Sequence, residues 1–133
     1  MFKFHRLNCR VHVYATENPD KVSEAVRKIL QNVSYSVKKT KILGHFGDPI
    51  TVLEYLVEDG EEAGSVFQRV VRVVGFDSVG VEERPGGGGK LHIRLDKQKA
   101  LQNQLVTEDV DPVKLEFSYI GNWREVQNWL GNT

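Results

Sequence analysis

Residues 91–100, with the sequence LHIRLDKQKA, combine an alternating strand pattern with a dense charged cluster. Because successive side chains of a strand point to opposite faces, the three aliphatic residues of this segment can enter a core while the polar residues line the other face. The polar residues of the segment are His92, Arg94, Asp96, Lys97, Gln98 and Lys99. Several of them donate hydrogen bonds, and the last three follow where the alternation stops. The segment therefore predicts one packed face and one binding face with donors at the strand end.

The chain has 133 residues, 40% of them hydrophobic, and a single cysteine, Cys9. This length is typical of one domain, and residues 1–133 are large enough to bury a core without disulfides. The first ten residues lack the apolar run of a secretory signal, and no stretch has the roughly 20 apolar residues of a membrane span. We therefore expect a single cytoplasmic domain with no membrane segment.

Charge is balanced overall but unevenly distributed along the chain. The 18 basic and 18 acidic residues cancel, which disfavours a protein that holds nucleic acid by bulk charge alone. Basic residues concentrate between 90 and 99, whereas acidic residues concentrate between 54 and 62. Such patches can steer a charged partner, although solvated faces that maintain solubility would give the same pattern.

Five segments are predicted to be strands: three of them alternate apolar and polar residues, residues 37–43 have a strand-like pattern with exposed lysines, and residues 50–57 are rich in β-branched and aliphatic residues. They are residues 10–15, 37–43, 50–57, 91–95 and 113–119. Helices are predicted after the capping residues Asn18, Asp59, Asp96 and Asn122, with the third confined to residues 97–104. Residues 76–84 give no clear pattern beyond one short helical turn. The sequence thus predicts an α+β fold, a two-layer sandwich in which helices pack on one face of a mostly antiparallel five-stranded sheet.

A run of four glycines, residues 86–89, follows Pro85 and predicts a flexible loop. The loop is too short to separate domains. It also lacks the Lys and Ser or Thr of a phosphate-binding P-loop, and it leads into a strand rather than a helix.

Three blocks of the chain resemble signature blocks of a small, mainly archaeal family of RNA-binding domain proteins and predicted exosome subunits. They are residues 11–22 (VHVYATENPDKV), 44–50 (GHFGDPI) and 91–100 (LHIRLDKQKA). The resemblance covers nearly the whole chain and keeps the blocks in the family's order. It implies a fold similar to that of the ribosomal protein that binds 5S RNA. The glycine run departs from the more helical and polar stretch expected there, so no function is carried over to that loop.

The resemblance implies an RNA-binding site around the end of the fourth strand. Arg94, Lys97 and Lys99 are expected to hold phosphate oxygens. Lys90 and Arg10, which lie just outside the matching blocks, are expected to assist them. Gln98 is expected to bond a base edge or a ribose hydroxyl. If the first and fourth strands are neighbours, His12, Tyr14 and His92 join these cations on one open face, where Tyr14 can stack on a base.

Several of these residues have a plainer structural explanation. Polar side chains on any solvated sheet face would look like His12, Tyr14 and His92. His45 and Phe46 lie between two glycines, so Phe46 could stack on a base or plug the end of the core. Asp96 is explained by a helix cap or by a salt link to Arg94. The two tryptophans follow a helical stripe, which predicts core packing.

Catalytic and metal chemistry find little support in the sequence. The four histidines and Cys9 lack the spacing of a zinc site, and no catalytic motif occurs. We therefore predict a noncatalytic RNA-binding protein with no cofactor or metal, acting in RNA processing or ribosome-related assembly. The alternative is a protein-interaction module that docks through the acidic helix start at residues 59–62 or through an exposed sheet edge.

Overall fold

The computed structural model describes residues 1–131. Its strands are β1 Lys3–Tyr14, β2 Ser36–Leu43, β3 Pro49–Val57, β4 Gly80–Glu83, β5 Gly89–Leu95 and β6 Val113–Ile120. Its α-helices are α1 Pro19–Leu30, α2 Gly60–Val74, α3 Lys97–Leu101 and α4 Val126–Gly131, with 3-10 turns at Phe76–Ser78 and Trp123–Glu125. None of the described helices is long and apolar enough to cross a membrane.

The strands form one sheet in the order β2-β3-β1-β6-β5-β4, and every neighbouring pair is antiparallel. The predicted α+β class with an antiparallel sheet is confirmed, but the predicted count of five strands is wrong. The sixth strand, β4, was missed because all four of its residues are exposed at the sheet edge. An edge strand with Val81 as its one large apolar residue carries no alternation for a sequence pattern to detect.

One face of the sheet is buried beneath helices and the other is open. The apolar side chains of β1, β3, β5 and β6 form a single core with those of α1 and α2. The largest fully buried side chains of this core include Phe67, Phe117, Leu7, Ile29 and Leu30. The open face therefore carries the alternate, mostly polar positions of the same strands.

Strand β1 is much longer than the predicted strand over residues 10–15, because a β-bulge interrupts its pattern. Phe4 pairs with Tyr119 and Arg6 pairs with Ser118, so His5 is an extra residue without a partner on β6. The bulge shifts the buried positions from even to odd numbers. A strict period of two cannot follow that shift, which explains why the first half of the strand was missed.

The predicted helix caps are confirmed. The Asn18 side chain accepts from the Asp20 amide at 2.9 Å, and Asp59 accepts from the amides of Glu61 and Glu62 at 2.8 and 3.1 Å. Asp96 accepts from the Lys99 amide at 2.9 Å and caps α3. These bonds satisfy backbone donors that a helix start leaves without partners.

Helix α3 is shorter than the predicted residues 97–104. It ends at Leu101, and Asn103 adopts a left-handed conformation with φ of 62° that an α-helix cannot include.

The glycine run forms the turn between β4 and β5, closed by a hydrogen bond from the Arg84 amide to the Gly88 carbonyl at 2.9 Å. A Cβ on Gly89 would overlap the Glu82 carbonyl oxygen and lie 2.9 Å from the Tyr119 hydroxyl. Glycine is therefore required at residue 89 for close packing of the backbone.

The two tryptophans pack against the core, as predicted. The Trp129 ring lies 5.0 Å from the Phe4 ring, centroid to centroid, in an edge-to-face arrangement. Trp123 is half-buried, and its indole nitrogen donates to Glu83 at 3.2 Å. Both rings thus belong to the helical side of the sheet rather than to its open face.

Candidate nucleic-acid interface

Three cationic side chains lie next to one another on the open face of the sheet. In the antiparallel ladder, Arg10 on β1 lies directly opposite Lys114 on β6, and Lys114 lies directly opposite Arg94 on β5. Because neighbouring strands are about 4.8 Å apart, these directly opposed residues form a line of roughly 10 Å across three strands. We call Arg10, Lys114 and Arg94 the cationic row.

The side chains of the cationic row make no ion pair or hydrogen bond with any part of residues 1–131. They line a shallow groove of about 350 Å³ together with His12, Asp111 and others. Asp111 forms no ion pair with the row, and its carboxylate instead binds Lys97 at 2.6 Å. The row therefore offers positive charge and unused donors to a partner.

Beyond Arg10 the line of charge is interrupted by an acid. Glu54 on β3 lies opposite Arg10, and its carboxylate accepts a hydrogen bond from the side-chain amide of Asn8 at 3.2 Å. Lys38 on β2 lies opposite Glu54 in turn. The cationic row thus ends at β1, with one further lysine beyond the carboxylate.

Lys90 and His92 lie on the open face but are engaged by carboxylates. Lys90 pairs with Glu116 at 3.0 Å, and His92 Nε2 lies 3.1 Å from Glu82. The hydrogen bond from His92 is the main reason that the pKa of Glu82 is lowered. This part of the face is therefore mixed in charge, and the two residues are less available to phosphates than the cationic row.

The expectation that Lys97 holds a phosphate is overturned by its surroundings. Its side chain is 8% exposed, and Nζ donates to the His12 carbonyl at 2.9 Å. Nζ also binds both carboxylate oxygens of Glu17 at 3.0 and 3.1 Å and Asp111 at 2.6 Å. An ammonium group has three donors, so these partners occupy them all.

Gln98 and Lys99 are exposed, but they belong to a different part of the surface. Both lie on α3, which packs against α1 in the helical layer. Gln98 lines a groove there with Glu17 and Lys21. The structure does not bring Gln98 and Lys99 together with the cationic row, because the chain turns away from the sheet at Asp96.

The condition that β1 and β5 are neighbours is not met, since β6 lies between them. His12 and Tyr14 are instead separated from His92 by a full strand. The rings of His12 and Tyr14 lie 6.2 Å apart, centroid to centroid, and Lys97 Nζ lies 5.3 Å from the centre of the Tyr14 ring. His12 and Tyr14 therefore extend the open face from Arg10 towards one end of the sheet.

Apolar side chains continue the open face at that end. Tyr14 pairs with Ile50, Ile50 pairs with Ile42, and Val52 lies beside them opposite His12. Tyr14 is 36% exposed and Ile42 is 41% exposed. Ile50 is partly exposed, whereas Val52 is only 2% exposed and offers little surface to a partner. We call Tyr14, Ile42 and Ile50 the apolar strip.

His45 and Phe46 form the tip of the hairpin between β2 and β3. The tip is held by hydrogen bonds from the Gly44 amide to Asp48 and from the Gly47 amide to Gly44, at 2.7 and 3.0 Å. Phe46 is 88% exposed and packs edge-to-face with His45 at 4.9 Å. The alternative that Phe46 plugs the core is therefore wrong, and its ring is available to a partner.

The acidic segment at residues 59–62 has structural partners. Asp59 caps α2, and Glu62 accepts from the Ser34 amide at 3.0 Å. Strand β2 is an exposed sheet edge, but it carries Lys38, Lys39 and Lys41. Lysines on an edge strand oppose pairing with another strand.

Sequence reasoning missed Lys114, the central member of the cationic row. The alternation in β6 does place Lys114 on the polar face, because its sequence neighbours Val113 and Leu115 are buried on the other face of the strand. Only the strand order shows that it lies between Arg10 and Arg94. No group of three or more metal-binding side chains comes together within the described residues.

Comparisons with known proteins give consistent results. The model of the RNA-binding family matches residues 6–119. The chain is 26% identical to the RNA-binding protein PAB1135 of Pyrococcus abyssi, over 95% of this chain and 93% of that protein.

Solved structures show the same fold. Mth689, a DUF54 protein from Methanothermobacter thermautotrophicus, superposes with a TM-score of 0.73 at 26% identity, covering 98% of this chain and 95% of that one. SSO0741 from Sulfolobus solfataricus, also of the DUF54 family, superposes with a TM-score of 0.70 at 20% identity, covering 96% and 95%. Since the family model spans most of the sequence, from Arg6 in β1 to Tyr119 in β6, this chain belongs to the RNA-binding family.

Proposed function

We propose that this protein binds RNA through the open face of its sheet, with the cationic row as the phosphate contact. The observation that carries the proposal is the juxtaposition of Arg10, Lys114 and Arg94 without acidic partners in the described chain. The protein has no net charge to attract a polyanion, so a local cluster must supply the attraction. Membership of the RNA-binding family supports RNA as the polyanion.

The electrostatic part of this binding has a predictable dependence on salt. Each phosphate neutralised by a lysine or arginine releases counterions, which gives a logarithmic slope of about −0.7 per contact on a single strand. Three contacts therefore predict a slope of about −2. A protein partner bound through an apolar surface would show little dependence on salt.

The test is a fluorescence anisotropy titration with short single-stranded and stem-loop RNAs at several salt concentrations. We expect the double variant Arg10→Gln, Lys114→Gln to weaken binding and to reduce the slope to about −0.7. The matched control is Lys21→Gln, Arg72→Gln, which removes two exposed cations from α1 and α2 and should leave both quantities unchanged. A folded Arg10, Lys114 variant that binds like the wild type would exclude the cationic row as the site.

We further propose that this RNA binding is noncatalytic, needs no metal or cofactor, and serves RNA processing or ribosome-related assembly in the cytoplasm. The resemblance to predicted exosome subunits supports this role, and the likeness to the ribosomal protein that binds 5S RNA stays a prediction. Crosslinking the protein to RNA in cells and sequencing the bound fragments tests it. Enrichment of precursor or ribosomal RNA is expected, and a random sample of transcripts would contradict it.

A further inference from the structure

The surroundings of the cationic row differ on its two sides. On the side of His92 and Lys90, the open face carries the carboxylates of Glu116 and Glu82. On the other side lies the apolar strip, and the hairpin tip that follows the strip along β2 and β3 carries the exposed ring of Phe46. Carboxylates occur on this side as well, since Glu54 lies opposite Arg10 and Lys97 near Tyr14 is bound by Glu17 and Asp111. The exposed apolar groups, and not the charge, therefore distinguish the side that can receive the bases of an RNA held at the row.

We propose that the RNA segment bound by this face is single-stranded, with phosphates on the cationic row and unpaired bases on Tyr14 and the apolar strip, continuing towards Phe46. This inference rests on the proposed RNA-binding function and specifies the class of RNA that the same face accepts. Tyr14 lies four residues beyond Arg10 on β1, which places its ring about 13 Å from the row along the strand. The site therefore offers separate positions for backbone and bases.

The exposed rings and aliphatic groups favour unpaired bases over a duplex. In an A-form helix the base faces are stacked on one another, and proteins contact phosphates and 2′-hydroxyls instead. A duplex would leave the apolar strip and Phe46 without partners. Unpaired bases can be splayed out and stacked on aromatic side chains, which uses these groups directly.

The extent of the cationic row agrees with this choice. It spans roughly 10 Å across three adjacent strands. Protein domains that recognise duplex RNA by shape contact two successive minor grooves over about 16 base pairs. Three adjacent cations match neighbouring phosphates of one strand rather than phosphates distributed along a duplex.

The experiment compares three probes by fluorescence anisotropy at low salt: a uridine octamer, an abasic octamer with the same backbone, and an RNA duplex of equal length. We expect the uridine octamer to bind more tightly than either other probe. Tyr14→Ala and Phe46→Ala should each weaken binding of the uridine octamer by about 5- to 150-fold. The same variants should change binding of the abasic octamer by less than about twofold, because it has no bases to stack.

Two further variants keep the test specific. Tyr14→Leu preserves apolar bulk at the partly exposed position and should lose the stacking contribution as Tyr14→Ala does. Leu43→Ala is the matched control, because Leu43 is 77% exposed on the same hairpin but points to the opposite face from Ile42. We expect Leu43→Ala to bind the uridine octamer within about twofold of the wild type.

The possible failures are distinguishable. If the duplex binds as tightly as the uridine octamer and the Tyr14 and Phe46 variants bind normally, the RNA-binding function stands and the inference of a single-stranded ligand is wrong. If none of the three probes binds at low salt, the proposed function fails and this inference fails with it.

Discussion

Replacing Lys97 by methionine should destabilise the fold strongly, because this lysine links α3 to three other segments of the chain. Nζ joins α3 to the carboxylate of Glu17 before α1 and to that of Asp111 before β6, and it also binds the His12 carbonyl on β1. Methionine has a similar length but no donors. The substitution therefore removes the charge while nearly preserving the volume.

The expected size follows from the exposure of the partners. Removing one member of a fully buried ion pair costs about 3–5 kcal/mol, because the other charge loses its compensation. Here the side chains of Glu17 and Asp111 remain 23% and 30% exposed, so water can partly solvate them. We therefore expect a loss of about 2–3 kcal/mol in the free energy of unfolding, at or below the lower end of that range. For a chain of this length that corresponds to a melting temperature lower by about 7–11 °C.

The measurement is thermal and urea unfolding followed by circular dichroism. Lys99→Met is the matched control, since Lys99 is exposed on the same helix and its side chain has no partner among the described residues; its stability should change by less than about 0.5 kcal/mol. Adding Asp111→Asn to Lys97→Met should restore part of the stability, because one uncompensated carboxylate is then neutral. A Lys97→Met protein that melts within about 2 °C of the wild type would refute the reasoning and return Lys97 to the candidate phosphate contacts.

Three other predictions concern stability and reactivity. Gly89→Ala should lower the free energy of unfolding by about 2 kcal/mol or more in thermal unfolding, because the added Cβ would collide with the Glu82 carbonyl. Gly80→Ala is the control and should be nearly neutral, because a Cβ there makes only ordinary contact with His92. Burial raises the pKa of the Cys9 thiol far above its usual range, so a thiol reagent should label the native protein very slowly and the urea-unfolded protein rapidly; equal rates would contradict the burial. Because the His92 hydrogen bond lowers the pKa of Glu82 in the folded state, its stabilising effect is present above the ordinary glutamate pKa of about 4.3 and is lost as the pH falls below it. Glu82→Gln should therefore reduce the acid sensitivity of the urea midpoint, and an unchanged pH profile would count against the interaction.

Local patterns were enough to predict much of the fold. The caps at Asn18 and Asp59 are set by side chains that bond amides two or three residues away, so the helix starts follow from short-range chemistry. The strand over residues 113–119 likewise follows from alternation within eight residues. The missed features, β4 and the first half of β1, are an exposed edge and a bulge, and neither carries a regular period.

The candidate site was harder to predict because it depends on which strands are neighbours. The sequence analysis named Arg10 and Arg94, but the residue that lies between them is Lys114 on β6. Alternation predicts which face of a strand is polar, and it does not predict that β6 lies between β1 and β5. Lys97 shows the opposite problem. A lysine beside other charges suggests solvent exposure, and only the approach of Glu17 and Asp111 from distant parts of the chain buries it.

The single unpaired residue at His5 keeps both halves of the first strand on the buried face. If His5 were deleted, Phe4 and Arg6 would follow one another as their partners Tyr119 and Ser118 do, and Phe2 and Phe4 would stay buried by ordinary alternation. An extra residue inserted into the ladder between Phe4 and Leu7 would instead turn Phe2 and Phe4 to the open face and direct Lys3 towards the aromatic cluster around Trp129. A shortened first strand should therefore be accepted, whereas a lengthened one would separate the amino-terminal end of the chain from the rest of the molecule.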